Sequence, residues 1–126
     1  MRAKLVSEQM KPNILKSKPN NDIINDLKKL SRKEKGEKLI FISYKGRVHL
    51  MDLLIKGESD VNYQNAYGNT ALIMASKYGR RGMVKLLLNA GADQDIKNKE
   101  GNTALTWAKY YHHDDIIALL KNKHTK

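Results

Sequence analysis

The densest group of potential metal ligands in the sequence is His112-His113-Asp114-Asp115. Imidazole and carboxylate groups bind divalent metals, but adjacent side chains on a turn diverge. No further ligand follows at the three- or four-residue spacing that would complete a site. Carboxylates also favour the positive end of a helix dipole. We therefore expect these aspartates to begin the last helix, and we expect neither a bound metal nor another cofactor.

Residue types that carry out covalent catalysis are scarce in this chain. The absence of cysteine excludes a thiolate nucleophile, a disulfide and a thiolate zinc site. The serines do not lie in a nucleophile-elbow sequence. Gly68 and Gly101 do not form a phosphate-binding loop, because the G-x-x-x-x-G-K-[ST] pattern is absent. We therefore expect that the protein is not an enzyme.

Composition indicates a single basic domain. The 126 residues include 24 basic and 13 acidic side chains, which give a formal net charge of +11. No segment approaches the ~20 apolar residues of a membrane span, and the N-terminus lacks the apolar core of a secretory signal. We expect a soluble, monomeric protein of the cytoplasm. The sequence leaves open both delivery into a host cell as an effector and whether the charge serves a function.

The strongest pattern in the sequence is an internal repeat. Gly68-Asn-Thr-Ala-Leu and Gly101-Asn-Thr-Ala-Leu are identical and begin 33 residues apart. The same offset relates three Leu-Leu pairs, at 53–54, 86–87 and 119–120. Matches of this extent at one offset predict a protein built from stacked copies of one structural unit.

Each copy can be interpreted as two short helices. In the middle copy, Thr70 is the predicted N-cap of a helix over 71–78, which Gly79 ends. A second helix near 83–89 is rich in apolar residues, and Gly91 suits the left-handed conformation that follows many helices. A helix pair this short cannot bury its apolar face alone, so neighbouring copies must stack.

These units resemble the ankyrin repeat, whose pattern is G-x-T-P-L-H-x-A-A-x-x-G followed by a second helix ending L-L-x-x-G-A-D. The middle unit matches from Gly68 to Lys97, although Ala71 replaces the usual proline. The third unit has His112 in place of the inter-helix glycine. The first has Glu58 in place of the glycine after the second helix, and its opening turn at 33–36 is degenerate. The resemblance covers about residues 38–123.

This resemblance implies an all-α solenoid of about three stacked helix–turn–helix units with short β-turn or hairpin loops. The predicted units span 35–64, 65–97 and 98–126. Residues 19–34 are predicted to form an N-terminal capping helix, because Ile23, Ile24 and Leu27 lie on one helix face. Residues 1–18 are polar and aperiodic, and we expect a disordered basic tail.

The resemblance also implies a non-catalytic adaptor that binds a partner protein through a groove and the turn tips. Aromatic anchors beside cations are typical of protein interfaces, so we expect an acidic or mixed acidic–apolar partner surface. The alternative is nucleic-acid binding, in which the rings stack on bases and the lysines neutralise phosphates. A second open question is whether the row formed by residues 41, 74 and 107 is interface or core. Carried over position by position, the predicted contact residues are Phe41, Tyr44, Lys45, Tyr67, Asn69, Met74, Lys77, Tyr78, Asn102, Trp107, Tyr110 and Tyr111.

Overall fold

The computed structural model describes residues 20–121, with side chains from residue 22 onward; the predicted tail over 1–18 lies outside this range. The described part is helical and contains no strand, which confirms the predicted all-α repeat solenoid. Its helices are α1 (Asn20–Lys28), α2 (Arg32–Lys45), α3 (Val48–Lys56), α4 (Ala71–Lys77), α5 (Arg81–Asn89), α6 (Ala104–Tyr110) and α7 (Asp114–Lys121).

The helices form two layers. The first helices of the three units, α2, α4 and α6, pack side by side, and the second helices, α3, α5 and α7, form a row behind them. Helix α1 packs against α3 at the N-terminal end of this second row, which is the position of a capping helix. Each unit therefore buries its apolar side against its neighbours as well as within its own helix pair.

The repeat explains the core residue by residue. Leu54, Leu87 and Leu120 occupy equivalent positions in α3, α5 and α7, and each is at most 2% exposed. Leu39 and Leu72 are equivalent in α2 and α4 and are also buried. Burying a leucine contributes about 1.5–3 kcal/mol. The 33-residue spacing is thus the spacing at which successive units place an apolar side chain in the same layer of the core.

Threonine caps the first helices of the middle and last units. The Thr70 hydroxyl accepts a hydrogen bond from the Ile73 amide at 3.2 Å, and the equivalent Thr103 hydroxyl accepts one from the Thr106 amide at 3.3 Å. These bonds satisfy amides that have no partner within the helix. The predicted N-cap at Thr70 is confirmed, and the helix predicted near 83–89 begins two residues earlier, at Arg81.

Two departures from the repeat lie where the backbone is left-handed. Gly79 and Gly91 of the middle unit have φ angles of +72° and +92°. At the equivalent positions, His112 has a φ angle of +60° and Glu58 one of +66°. A side chain with a Cβ atom is disfavoured in this region by roughly 1–2 kcal/mol. The stack thus imposes the same turn even where its sequence no longer supplies glycine.

The start of the first unit differs from the prediction. Residues 33–36 are not an opening turn: they lie inside α2, which is 14 residues long, and α1 ends at Lys28 instead of continuing toward residue 34. A capping box explains the new boundary. The Ser31 hydroxyl accepts a hydrogen bond from the Glu34 amide at 3.1 Å, and the Glu34 carboxylate accepts one from the Ser31 amide at 2.9 Å.

A close contact fixes this extended part of α2 against the following loop. A Cβ atom added to Gly36 would lie 2.2 Å from Cγ of Tyr63, so the ring occupies the space that any other side chain at position 36 would need. The Tyr63 hydroxyl donates a hydrogen bond to the Glu37 carboxylate at 3.1 Å. Desolvation raises the pKa of Tyr63 above its ordinary value, and this hydrogen bond raises it further.

Candidate protein-binding groove

An aromatic cluster spans the first two units. Phe41 and Tyr44 lie one turn apart on α2, and their rings meet edge to face with centroids 5.4 Å apart. The Tyr44 ring also contacts Tyr78, the C-cap residue of α4, at 5.5 Å. We call Phe41, Tyr44 and Tyr78 the first aromatic cluster. This cluster spans the boundary between the first and middle units, on the side of the stack where the first helices are exposed.

A second aromatic cluster lies on the last unit and consists of Trp107, Tyr110 and Tyr111. The Trp107 and Tyr111 rings stack with an interplanar angle of 15° and centroids 5.9 Å apart. Tyr110 meets both rings edge to face, at 5.9 Å from Trp107 and 4.9 Å from Tyr111. The rings support one another and so lose little freedom when a partner covers them.

Lysine side chains lie on these rings. The Lys77 ammonium is 4.6 Å from the centre of the Trp107 ring and 5.6 Å from that of Tyr78, so it connects the two clusters. The Lys45 ammonium lies 5.5 Å from the Phe41 ring and 5.9 Å from the Tyr44 ring. The negative face of an aromatic ring attracts a cation at such distances. The rings therefore hold both cations at the surface in defined positions.

The ion pairs of the described part of the chain lie outside the two aromatic clusters. The cations in ion pairs lie at the end of α1 and directly after it, at the start of α2 and on the second helices. These pairs are Lys28–Glu58, Lys29–Asp26, Arg32–Asp60, Lys56–Asp52 and Arg81–Asp115. Within residues 22–121, neither Lys45 nor Lys77 forms such a pair. The cations of the aromatic clusters therefore remain available to a negatively charged group from outside.

The turn tips beside the clusters are held by repeated hydrogen bonds. The Asn65 side-chain oxygen accepts hydrogen bonds from the amides of residues 67 and 69, and the Asn98 oxygen accepts equivalent bonds from residues 100 and 102. The two tips are also joined, because the Lys99 amide donates to the Tyr67 carbonyl at 3.1 Å. The Asn98 amide group donates to the Asn69 side-chain oxygen at 2.8 Å. The tips thus form a fixed wall.

A pocket of about 240 Å³ lies between this wall and the first helices. Met74 and Trp107 contribute apolar surface together with Tyr67, and the Met74 and Trp107 side chains also pack on the core. Lys77 and Lys99 line it together with one carboxylate, Glu100. We call this the turn-tip pocket.

The predicted contact residues differ in exposure and in the contacts that their side chains make. Phe41, Tyr67 and Tyr110 are the most exposed, at 52%, 73% and 68%, and Tyr78 and Tyr111 are also exposed. The row formed by residues 41, 74 and 107 is neither wholly interface nor wholly core. Met74 and Trp107 are half-buried and pack against the core, whereas the exposed Phe41 contacts Tyr44 and Lys45. The Asn69 side-chain oxygen accepts a hydrogen bond from the Asn98 amide group. Asn102 lines a shallow hollow with Trp107, Tyr110 and Tyr111. The role of all the predicted contact residues in binding stays a prediction.

Sequence reasoning missed two side chains that position the groove. Arg80 donates a hydrogen bond from Nε to the Tyr44 carbonyl at 2.8 Å, and Nε2 of His113 lies 3.1 Å from the Lys77 carbonyl. Arg80 and His113 are 33 residues apart, so each forms the same tie to the preceding unit. The 33-residue repeat spacing places Arg80 and His113 at equivalent positions, but their residue types differ, so the sequence shows no match between them.

The cluster at 112–115 has a structural role at several of its positions. Asp114 and Asp115 occupy the first turn of α7, as predicted from the helix dipole. The His113 imidazole packs over Gly79, where a Cβ atom would lie 2.8 Å from the ring. Among the residues with described side chains, no three histidine or carboxylate groups come together as a set that could hold a metal ion.

The paired helices, repeated caps and stacked core define a repeat protein with an exposed groove. A family model of ankyrin repeats, in three copies, matches residues 18–126. The chain belongs to the ankyrin-repeat family, whose members are in general non-catalytic protein–protein interaction modules. A search of the curated proteins finds no match. In the part of the chain that the structure describes, no helix has the length and apolar character needed to cross a membrane.

Proposed function

We propose that the chain is a monomeric, non-catalytic adaptor that acts in the cytoplasm and binds a partner protein through the groove and turn tips. The observation that carries this proposal is the pairing of lysines with rings: Lys45 and Lys77 rest on rings of the aromatic clusters, while the described ion pairs lie on other parts of the surface. A partner surface that offers carboxylates next to apolar groups would satisfy both the lysines and the rings.

The mechanism of binding follows from the rigidity of the stack. Rings that already pack on one another and turn tips that already share hydrogen bonds need little ordering when the partner docks. Tyrosine and tryptophan are the residue types in which interface energy concentrates. We expect the two aromatic clusters to carry most of the affinity and the lysines to fix the orientation of the partner.

Capture from a native lysate of the source organism tests this proposal. The probes are the full-length chain, the double variant Tyr78→Ala/Tyr110→Ala and a control variant, Val48→Ala/Lys85→Ala, which truncates exposed residues of α3 and α5. The expected result is a discrete protein that survives nuclease treatment, binds the wild type and the control, and is lost with the tyrosine variant. Each variant should also keep the helical content and melting temperature of the wild type.

Two results would contradict the proposal. Recovery that disappears after nuclease treatment would show that nucleic acid, not protein, is the partner. Capture that the tyrosine variant retains and the control loses would place binding on the second helices.

A further inference from the structure

We infer that the turn-tip pocket is a subsite for one large apolar side chain of the partner, with a carboxylate next to it in the partner's sequence. This inference rests on the proposed function and specifies which chemistry the groove selects. The pocket volume of about 240 Å³ is below the roughly 300–1,000 Å³ of sites that enclose a small molecule, and it suits a single side chain.

The surface of the pocket specifies an apolar group. Met74 and Trp107 line it, and both are backed by the core, which limits their movement. Methionine and tryptophan present polarisable surface that packs well against aromatic and branched side chains. An aromatic or branched side chain that enters the pocket would therefore be removed from water on several sides.

The charges at the pocket specify the neighbouring carboxylate. Lys77 and Lys99 both line it, and neither forms an ion pair within residues 22–121. Lys77 is held on the Trp107 ring, so its ammonium stands next to the apolar surface. Glu100 is the one carboxylate among the lining residues, and it would oppose an acidic ligand in part. The two cations leave the pocket with a net positive charge.

The pocket also requires two adjacent turn tips, which restricts it to one place in the described stack. The tips of the middle and last units are joined by the Lys99–Tyr67 backbone bond and the Asn98–Asn69 side-chain bond. The first unit has no such tip, since the corresponding stretch lies in α2. The subsite therefore fixes the register in which an elongated partner segment lies along the groove.

Selection of a phage-displayed library of random dodecapeptides on the full-length chain tests the inference. We expect the selected peptides to converge on a consensus in which an aromatic or branched apolar residue is directly adjacent to Asp or Glu. A synthetic copy of the best peptide should bind Lys77→Gln about tenfold more weakly, since a charge-assisted contact is lost. Replacing the carboxylate of the peptide by its amide should have a similar effect on wild-type affinity.

Matched variants separate the subsite from a general effect of charge. Lys85→Gln removes an equal charge from an exposed position of α5, outside the groove, and should leave the affinity within about twofold, because exposed charges at a distance are screened. Glu100→Gln should strengthen binding, since it removes the opposing carboxylate. Circular dichroism of each variant should overlay that of the wild type.

Several results would overturn the inference. These are an absence of enrichment, enrichment without the apolar–acidic pair, or equal losses for Lys77→Gln and Lys85→Gln. Peptides that lose affinity for Tyr78→Ala/Tyr110→Ala but not for Lys77→Gln would overturn the subsite and leave groove binding intact. Peptides indifferent to all of these groove variants would count against both.

Discussion

The middle unit and the two terminal units share one register, but only the middle unit packs against another repeat unit on both sides. In the middle unit, Ile73 is 1% exposed, whereas the equivalent residue of the last unit, Thr106, is exposed and polar. Ser76 is likewise buried, and its equivalent in the last unit, Lys109, is exposed. Apolar and small residues are therefore kept at positions where a described neighbouring unit packs, and polar residues replace them where the described part of the chain has no such neighbour.

The first unit ends the stack differently. Helix α2 extends over the stretch that forms a turn tip in the other units, and α1 covers the outer side of α3. The extension depends on the contact between Gly36 and Tyr63. As a result the groove is asymmetric, with the turn-tip pocket toward the last unit and an aromatic cluster without a matching tip toward the first.

The largest effect on stability is expected at this N-terminal junction. Alanine has a higher helix propensity than glycine by about 1 kcal/mol, so Gly36→Ala would stabilise a free helix. In this structure the new methyl group would overlap the Tyr63 ring, and we expect a net loss of about 1–3 kcal/mol in the free energy of unfolding. Urea denaturation measures the change, and Lys38→Ala at an exposed position of α2 is the control. A Gly36→Ala variant as stable as the wild type would show that Tyr63 does not fix the extension.

A medium effect is expected from exchanging residues at the left-handed position after the second helix. Glu58→Gly relieves a strained φ angle of +66° and should stabilise the fold by about 0.5–1 kcal/mol, after the loss of its exposed ion pair with Lys28 is included. Gly91→Glu introduces the same strain into the middle unit and should destabilise by about 1 kcal/mol. Thermal melting of the two variants checks both signs. Changes of the same sign would show that the two turns are not equivalent.

The smallest effect is expected from the buried serines of the first layer. The Ser43 hydroxyl donates a hydrogen bond to the Ile40 carbonyl at 2.6 Å, whereas the Ser76 hydroxyl is buried and has no hydrogen-bond partner among the described residues. Ser43→Ala should cost about 0.5 kcal/mol, the low end for a hydrogen bond because the acceptor is a carbonyl of the same helix, and Ser76→Ala should be neutral or stabilising. Chemical denaturation of this pair measures the difference. A larger loss for Ser76→Ala than for Ser43→Ala would contradict the hydrogen-bond assignment.

Much of the repeating structure could be predicted from the sequence because its cause is local and recurs. Thr70 and Thr103 indicate helix starts because each hydroxyl accepts a hydrogen bond from the amide three residues later. The Leu-Leu pairs indicate the core by their spacing. The start of α2 was misjudged because the repeat pattern fades there. The Ser31–Glu34 capping box, a signal independent of the repeat, identifies the boundary.

The groove could be predicted less completely, since its geometry depends on contacts between units. The register places Lys77 in a row with Tyr44 and Tyr110, but it does not show that the ammonium lies on Trp107. Likewise, the ties from Arg80 and His113 to the preceding unit join residues 36 positions apart. Such contacts depend on side-chain conformations that the spacing of residue types does not determine.

We propose that a protein partner binds across the exposed side of α2, α4 and α6. The most direct measurement is an NMR titration of the isotope-labelled chain with the captured partner, which follows backbone amide and Trp107 indole signals. We expect the largest shifts at Tyr44, Tyr67, Lys77, Trp107 and Tyr111. Shifts concentrated on the outer surface of α3, α5 and α7 would contradict the account.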